Sequence, residues 1–227
     1  MPPVKQLHSW KVTYQEAVSI QNELRRKVRF EPVKRKVRTV AGADVAYDKK
    51  TNRIYAVLVV LSFPSLESLE QSVVEGEASF PYIPGLLSFR EAPLVTEAYE
   101  RLSIAPDLLI CDGQGVAHPR GLGLASHLGL LFGIPTIGCA KSRLCGEHRS
   151  VGPEVGNYAS LKMDGKTVGA VLRTRKGVKP VYVSVGHMID LRGAMKMTLR
   201  CCAGYRIPEP TRRAHLLVTA VRRENVP

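Results

Sequence analysis

Two aspartates stand in apolar surroundings that are unusual for a carboxylate. Asp44 lies inside the β-rich run of residues 38–47, and Asp112 directly follows the apolar run Leu108–Cys111. Burying an unpaired carboxylate is costly unless a cation or hydrogen-bond donors compensate it. In open α/β sheets, ligands bind beyond the carboxyl ends of the strands. Both aspartates are therefore candidate ligands, and the plainer alternatives are a water-facing strand residue for Asp44 and an Asp-Gly turn residue for Asp112.

Glu91 and His215 are two further candidates. Glu91 precedes a helix that is predicted to carry Pro93 in its first turn, where a carboxylate also complements the helix dipole. Thr211 is a predicted N-cap, which places His215 one turn into the last helix. Each residue alone has an ordinary helical explanation. Together with the two aspartates they supply ligands from separate elements. Mg²⁺ is held by carboxylates and phosphate oxygens and polarises an attacking water, so the set predicts a metal-dependent nuclease.

The charge balance favours a polyanionic partner. Lys and Arg number 33 against 20 Asp and Glu, which gives a formal net charge of +13. Excess positive charge of this size favours nucleic acid through counterion release, with an anionic membrane surface as the rival. The densest basic cluster, residues 25–38, is predicted to lie on phosphate. Pro32 interrupts this cluster, which argues against an amphipathic membrane helix.

Composition and motifs exclude several other classes of protein. Five cysteines are too sparse and odd in number for a disulfide scaffold. The longest purely apolar run, residues 54–61, is too short to cross a bilayer. We find no Gly-x-Ser-x-Gly elbow, no Walker loop, no complete dinucleotide fingerprint and no standard zinc spacing. We therefore expect a reduced, cytoplasmic, monomeric protein without a membrane segment.

The predicted elements must position the four candidate side chains. Thr13 and Glu16 form a capping box for a helix that ends near Arg29. Three β-rich runs with short links then predict an antiparallel meander. Further along, helices and buried strands alternate, an Asp-Gly hairpin follows, and two helices finish the chain. The meander strands are predicted at residues 38–47, 54–63 and 66–78. The later helices are predicted at 93–103, 122–132, 191–202 and 211–223, the later strands at 108–111, 136–140 and 181–185, and the hairpin at 161–172.

This order of elements predicts the fold. Antiparallel strands followed by strand–helix units imply a mixed sheet, with parallel strands after the meander and helices on both faces. That layout is typical of the ribonuclease H-like fold. No repeat or long linker divides the chain, so residues 1–227 are expected to form a single domain. Fold alone does not give function.

Six sequence motifs carry a resemblance to one family. The sequence resembles the endonuclease V family, nucleases that act at inosine in nucleic acids, over roughly residues 38–214. The most specific motifs are AGADV at residues 41–45, PYIPGLLSFRE at residues 81–91 and DGQG at residues 112–115. HPR at residues 118–120, KSRLCG at residues 141–146 and GYRIPEPTR at residues 204–212 extend the match.

The resemblance implies a reaction and a catalytic set. Family members have a ribonuclease H-like fold and use Mg²⁺ or Mn²⁺. They cut the second phosphodiester bond on the 3′ side of inosine, leaving 3′-hydroxyl and 5′-phosphate ends, in DNA repair. By motif position, Asp44 and Asp112 match the metal-binding aspartates and Glu91 matches the catalytic glutamate. His215 falls where the family carries His or Asp. Two further residues match positions near the scissile strand, namely Lys141 and His118.

The resemblance also implies how inosine is recognised in DNA or RNA. Tyr82 matches an aromatic wedge that enters the duplex, and the prolines on either side of it limit the entropy lost on insertion. The alternative for Tyr82 is a packed core aromatic. The family holds the flipped hypoxanthine by backbone groups, and the matching residues here are Gly85, Leu87, Gly113 and Gly138.

Two other functions remain open at this point. One is a non-catalytic nucleic-acid-binding protein of the same fold, which would have no reason to place carboxylates beside phosphates. The other is a metal-dependent phosphatase or nucleotide hydrolase, which would act on a mononucleotide rather than a long strand.

Overall fold

A single mixed sheet organises the chain. The computed structural model describes residues 2–48 and 50–224. The eight strands are β1 Thr39–Tyr47, β2 Arg53–Ser62, β3 Ser68–Glu77, β4 Leu108–Cys111, β5 Thr136–Ala140, β6 Tyr158–Met163, β7 Lys166–Leu172 and β8 Val181–His187. The α-helices are α1 Tyr14–Leu24, α2 Leu87–Glu100, α3 Leu124–Phe132, α4 Leu191–Arg200 and α5 Glu209–Glu224.

The strand order is β3-β2-β1-β4-β5-β8-β7-β6. The first three strands pair antiparallel, as predicted, whereas β1 with β4 and β4 with β5 pair parallel. The predicted Asp-Gly hairpin is β6–β7, and β8 joins β7 to β5 with antiparallel pairing on both sides. The predicted turn at residues 48–52 includes Lys49, which lies outside the described residues. The mixed ribonuclease H-like sheet is confirmed.

Alternation along the central strands explains why helices cover both faces. On β4, Leu108 and Ile110 join one apolar cluster, whereas Leu109 and Cys111 join the other. The first cluster contains the buried faces of α4 and α5, and the second contains those of α2 and α3. Because successive strand side chains point to opposite faces, four apolar residues in a row require cover on both sides. None of the helices within the described ranges is long and apolar enough to span a membrane.

The predicted starts of helices α2 and α5 were wrong. Helix α2 begins at Leu87, six residues before the predicted start, so Pro93 lies inside it and Glu91 lies in its second turn. Burial of Leu86 and Phe89 with Phe80 stabilises this early start against the hydrogen bond that Pro93 cannot donate. Helix α5 begins at Glu209, before the predicted N-cap.

The remaining differences are local. The Thr211 hydroxyl donates to the Pro208 carbonyl, 3.0 Å away, from inside α5, so it is not the N-cap and His215 is the seventh helical residue. Helix α1 keeps the predicted capping box but ends at Leu24, and a 3-10 turn covers Arg25–Lys27. The element predicted to reach Arg29 is therefore shorter, with three basic residues in a row in its terminal turn.

Candidate active site

Asp44 and Asp112 meet at one edge of the sheet. Strands β1 and β4 are parallel, with Ala43 paired to Cys111, and the Asp112 N–H donates to the Ala43 carbonyl at 3.2 Å. The next residue on each strand is therefore an aspartate at the same edge. His215 joins them, with its Nδ1 2.7 Å from Asp44 Oδ2. One ligand atom from each of these three residues lies within 4.8 Å of the others, so one cation could contact all three.

Gly42 allows α5 to bring His215 to this edge. Gly42 lies two residues before Asp44 on β1, so both residues face the layer that contains α5. A Cβ at Gly42 would lie only 2.0 Å from the Pro210 carbonyl carbon. The first turn of α5 therefore rests directly on the strand backbone. Gly42 is a site residue that the sequence analysis included in a motif but did not single out.

The carboxylates at this edge repel one another. Burial, and then the charge of Asp112, raises the pKa of Asp44, while its hydrogen bond to His215 opposes the shift. Burial, followed by the charges of Asp44 and Asp112, raises the pKa of Glu91 to about 8. Glu91 is on α2 and is not part of the three-residue group. Lys141 forms an ion pair with Asp112, which offsets only part of the negative charge. The set therefore suits a divalent cation.

A cavity of about 390 Å³ adjoins the acidic edge, within the size range of small-ligand pockets. Asp112 and Lys141 line it, so the cavity and the carboxylates share a wall. We call it the recognition cavity. Five of the residues predicted to bind the strand or the base also line it, namely Tyr82, Gly85, Leu87, Gly113 and His118. The ring of Tyr82 is 71% exposed, so the alternative of a packed core aromatic is wrong.

The structure does not bring Gly138 to the recognition cavity. Gly138 is buried in β5, and a Cβ there would lie 2.3 Å from the Gly115 nitrogen and 2.8 Å from the Gly113 carbonyl oxygen. Its lack of a side chain lets the loop after β4 pack onto β5. Gly138 therefore supports the loop that carries Gly113.

Comparisons with known proteins identify the family. Residues 22–216 match the family model described as Endonuclease V. The chain belongs to the endonuclease V family. The Endonuclease V of Dehalococcoides mccartyi is 50% identical over 213 residues, which cover 94% of this chain and 96% of that protein. This member of the endonuclease V family is accordingly an endonuclease.

Solved endonuclease V structures share the whole fold. The crystal structure of Endonuclease V from Streptomyces avermitilis is 45% identical, with a TM-score of 0.91 and 98% of each chain covered. The Endonuclease V of Ciona intestinalis, solved with a 23mer DNA containing an inosine followed by a ribo-adenosine, is 28% identical with a TM-score of 0.82. That match covers 94% of this chain and 99% of the Ciona chain.

Gln21 and Arg120 hold the Gly85 carbonyl of this endonuclease V chain, and neither role was predicted from the sequence. Gln21 Nε2 donates to the Gly85 and Leu122 carbonyls at 2.9 and 3.0 Å. Arg120 Nη2 donates to the same Gly85 oxygen at 2.6 Å, and Arg120 Nε donates to Gln21 Oε1 at 2.5 Å. The spacing offers one signal, because Gln21 stands four residues after Ala17 on the buried face of α1.

Gly85 itself adopts a backbone conformation that favours glycine. Its φ is +80°, in the left-handed region, and a Cβ there would lie 2.6 Å from Arg120 Nη2. Since the carbonyl already accepts two hydrogen bonds, the Gly85 N–H is the backbone group left to face a ligand.

Two basic side chains are held by backbone contacts. His118 is buried, and burial followed by the charge of Arg120 lowers its pKa to about 4. His118 is therefore neutral at pH 7, and its Nδ1 accepts from the Arg120 N–H at 3.2 Å. The backbone of Lys141 is held in place, because Arg206 Nη2 donates to the Lys141 carbonyl at 2.6 Å. The Lys141 side chain remains 38% exposed beside Asp112.

The basic cluster predicted to lie on phosphate divides between two places. Arg25 packs within 3.8 Å of the position that a Cβ would take at Gly121, in the loop after His118. Residues 34–38 instead lead into the start of β1, where the Arg38 N–H donates to Asp107 at 2.7 Å. That end of the sheet is opposite to Asp44, so Arg25 lies near the loop of His118 whereas residues 34–38 lie away from the candidate site.

Proposed function

We propose that this endonuclease binds inosine-containing DNA and hydrolyses the second phosphodiester bond on the 3′ side of inosine. The products would be a 3′-hydroxyl and a 5′-phosphate, as expected for DNA repair. The observation that carries the proposal is the shared wall, since Asp112 belongs both to the acidic cluster and to the recognition cavity. The Ciona intestinalis relative in complex with inosine DNA supports the choice of substrate.

Mg²⁺ is the proposed cofactor, and Mn²⁺ is expected to substitute for it. The donor set fits a hard cation because two carboxylates and an imidazole converge, with the carboxyl of Glu91 close enough to feel both charges. Asp44 and Asp112 would hold the ion, and His215 would contact it or orient Asp44 through the 2.7 Å hydrogen bond. When bound, the ion would neutralise charge on the phosphodiester and polarise the attacking water.

The remaining side chains would orient the water and the phosphate. Glu91 is half-buried on α2 and lies near enough to Asp44 and Asp112 for their charges to raise its pKa, so we assign its carboxylate to orienting the attacking water and accepting its proton. Lys141 would exchange its ion pair with Asp112 for a phosphate oxygen. His118, neutral at pH 7, would line the path of the strand, with its ring held by hydrogen bonds with the backbone at Arg120 and at Gly85.

The recognition cavity would receive the base. Taking a nucleotide out of the stack costs a few kcal/mol, and less where the base pair is weak. Tyr82, exposed between Pro81 and Pro84, would fill the gap in the duplex. Backbone N–H groups, including that of Gly85, would then read the carbonyl oxygen of hypoxanthine, with Leu87 and Gly113 completing the wall.

Cleavage of end-labelled strands tests the proposal. Strands with one inosine, in DNA and in RNA, would be incubated with Mg²⁺, with Mn²⁺ and with EDTA. We expect a single cut at the second phosphodiester bond on the 3′ side of inosine with either metal, and no cut with EDTA. Binding without cutting would favour the non-catalytic alternative. Hydrolysis of mononucleotides, with intact strands, would favour the phosphatase alternative.

A further inference from the structure

A second cavity lies on the far side of Lys141. It has a volume of about 520 Å³ and shares three lining residues with the recognition cavity, namely Lys141, Ser142 and Arg143. We call it the basic cavity. Six basic side chains line it and, among the described residues that form its wall, none is acidic. The six are Lys141, Arg143, His148, Arg173, Lys179 and Arg206.

Two arginines make the wall of the basic cavity rigid. Arg173 donates from Nε to the Gly152 carbonyl at 3.0 Å and from Nη2 to the Val151 carbonyl at 3.2 Å. Arg206 donates from Nη2 to the carbonyls of Lys141 and Pro180 at 2.6 and 2.9 Å. Both guanidinium groups are held by neutral carbonyls, so their charge is not cancelled by these contacts. The wall is therefore a preorganised positive surface.

Two exposed cations complete the lining of the basic cavity. Lys179 and Arg143 are exposed, and neither forms an ion pair with a carboxylate of the described residues. Across the cavity, Tyr182 packs edge to face against His148, with ring centroids 5.7 Å apart. Four of the lining cations, namely Arg143, Arg173, Lys179 and Arg206, form no ion pair with a carboxylate of the described residues, and a concave surface of this kind is suited to the phosphate groups of a strand.

We propose that the basic cavity binds the backbone phosphates of the strand on the 3′ side of the cleaved bond. This inference rests on the proposed function. The direction follows from the order of features, because the recognition cavity, the Asp112–Lys141 pair and the basic cavity are contiguous. With the base of inosine in the first and the scissile bond at the second, the leaving part of the strand passes into the third.

A substrate-length series tests the proposal. Single-stranded inosine substrates would carry the same 5′ segment and either one nucleotide or several nucleotides beyond the cleaved bond. For Lys179→Ala we expect roughly a tenfold loss of kcat/KM on the long-tailed substrate, the order of one charged hydrogen bond, and little loss on the short-tailed one. The slope of log(kcat/KM) against log[salt] should become shallower by about 0.7 on the long tail only.

Matched variants keep the test specific. Lys179→Arg retains the positive charge and should restore most of the long-tail preference. Lys196→Ala removes an exposed lysine from α4, outside both cavities, and should change neither the preference nor the salt slope. An equal loss by Lys179→Ala on both tails, or a loss that follows extension of the 5′ side, would overturn the proposal.

One further arm separates a strand phosphate from free phosphate. Inorganic phosphate added to the short-tailed reaction should have the same effect on the wild type and on Lys179→Ala. A stimulation or inhibition that Lys179→Ala abolishes would instead identify a free-phosphate site and contradict the strand-binding role. Failure of the proposed function gives a different result, since the wild type would then cut neither substrate.

Discussion

The acidic edge and the recognition cavity share Asp112 but are built in opposite ways. At the edge, burial, followed by the charges of Asp44 and Asp112, raises the pKa of Glu91 to about 8. Around the cavity, the Gly85 carbonyl is held by two donors from Gln21 and Arg120. The carboxyl groups at the edge are therefore destabilised until a cation binds, whereas the wall of the recognition cavity is stabilised by hydrogen bonds that are already formed. Substitutions in the two regions should consequently affect stability with opposite signs.

Asp112→Asn should have the largest effect on activity. It removes a proposed metal ligand while keeping the size of the side chain, so cleavage with Mg²⁺ should fall to background. Binding of an inosine strand should persist, because the recognition cavity retains its backbone groups. Gel-based cleavage and a binding titration on the same strand measure the two effects. Asp164→Asn, in the exposed β6–β7 turn, is the matched control, and normal cleavage by Asp112→Asn would remove the assignment.

Glu91→Gln should stabilise the metal-free protein. The folded-state pKa of Glu91 is about 8 against an ordinary value of 4.5. The folded protein keeps this proton across that window while the unfolded chain loses it. Wild-type stability therefore falls as the pH rises from about 4.5 to about 8. The variant lacks this ionisable group, so its free energy of unfolding should exceed that of the wild type. The difference should grow with pH to the order of a few kcal/mol.

Denaturant unfolding in EDTA across the pH range measures this advantage. Glu67→Gln, an exposed residue between β2 and β3, is the control and should follow the wild type. Added Mg²⁺ should stabilise the wild type more at pH 8 than at pH 5, because the ion offsets the repulsion. A pH-independent difference between Glu91→Gln and the wild type would show that the raised pKa of Glu91 is not the cause.

Gln21→Ala, in the wall of the recognition cavity, should lower the stability of the protein, in contrast to Glu91→Gln. It leaves Arg120 without its Gln21 partner and removes a donor from the Gly85 carbonyl, which should cost about 1–3 kcal/mol of stability. The loop would then hold the base less firmly, so we expect roughly a tenfold loss in the preference for inosine over adenosine. Cleavage should still require metal. Gln15→Ala, exposed on the same helix, is the control, and an unchanged preference would contradict the role of Gln21.

The same contrast explains what could be predicted from the sequence. Asp44 and Asp112 could be paired in advance, because parallel strands end at one edge and the side chains follow from register. Gly42 and the early start of α2 were missed because both depend on packing between layers. Gln21 was missed because its partner Gly85 is 64 residues away, and local spacing does not reveal which loop a buried amide will contact. Gly138 was named only through the family resemblance, and its packing against the loop after β4 could not be read from the sequence.

Tyr82→Ala should give the smallest change in activity, and its effect should differ between duplex and single-stranded substrate. The ring is 71% exposed, so its removal should leave stability nearly unchanged. On duplex DNA it should lower kcat/KM by roughly fivefold or more, since base–aromatic stacking contributes about 1–3 kcal/mol per base. On single strands the loss should be smaller, because no duplex has to be opened. Tyr82→Phe keeps the ring and should retain the duplex activity. Equal losses by Tyr82→Ala on both substrates would mean that the ring contacts the strand without opening the duplex.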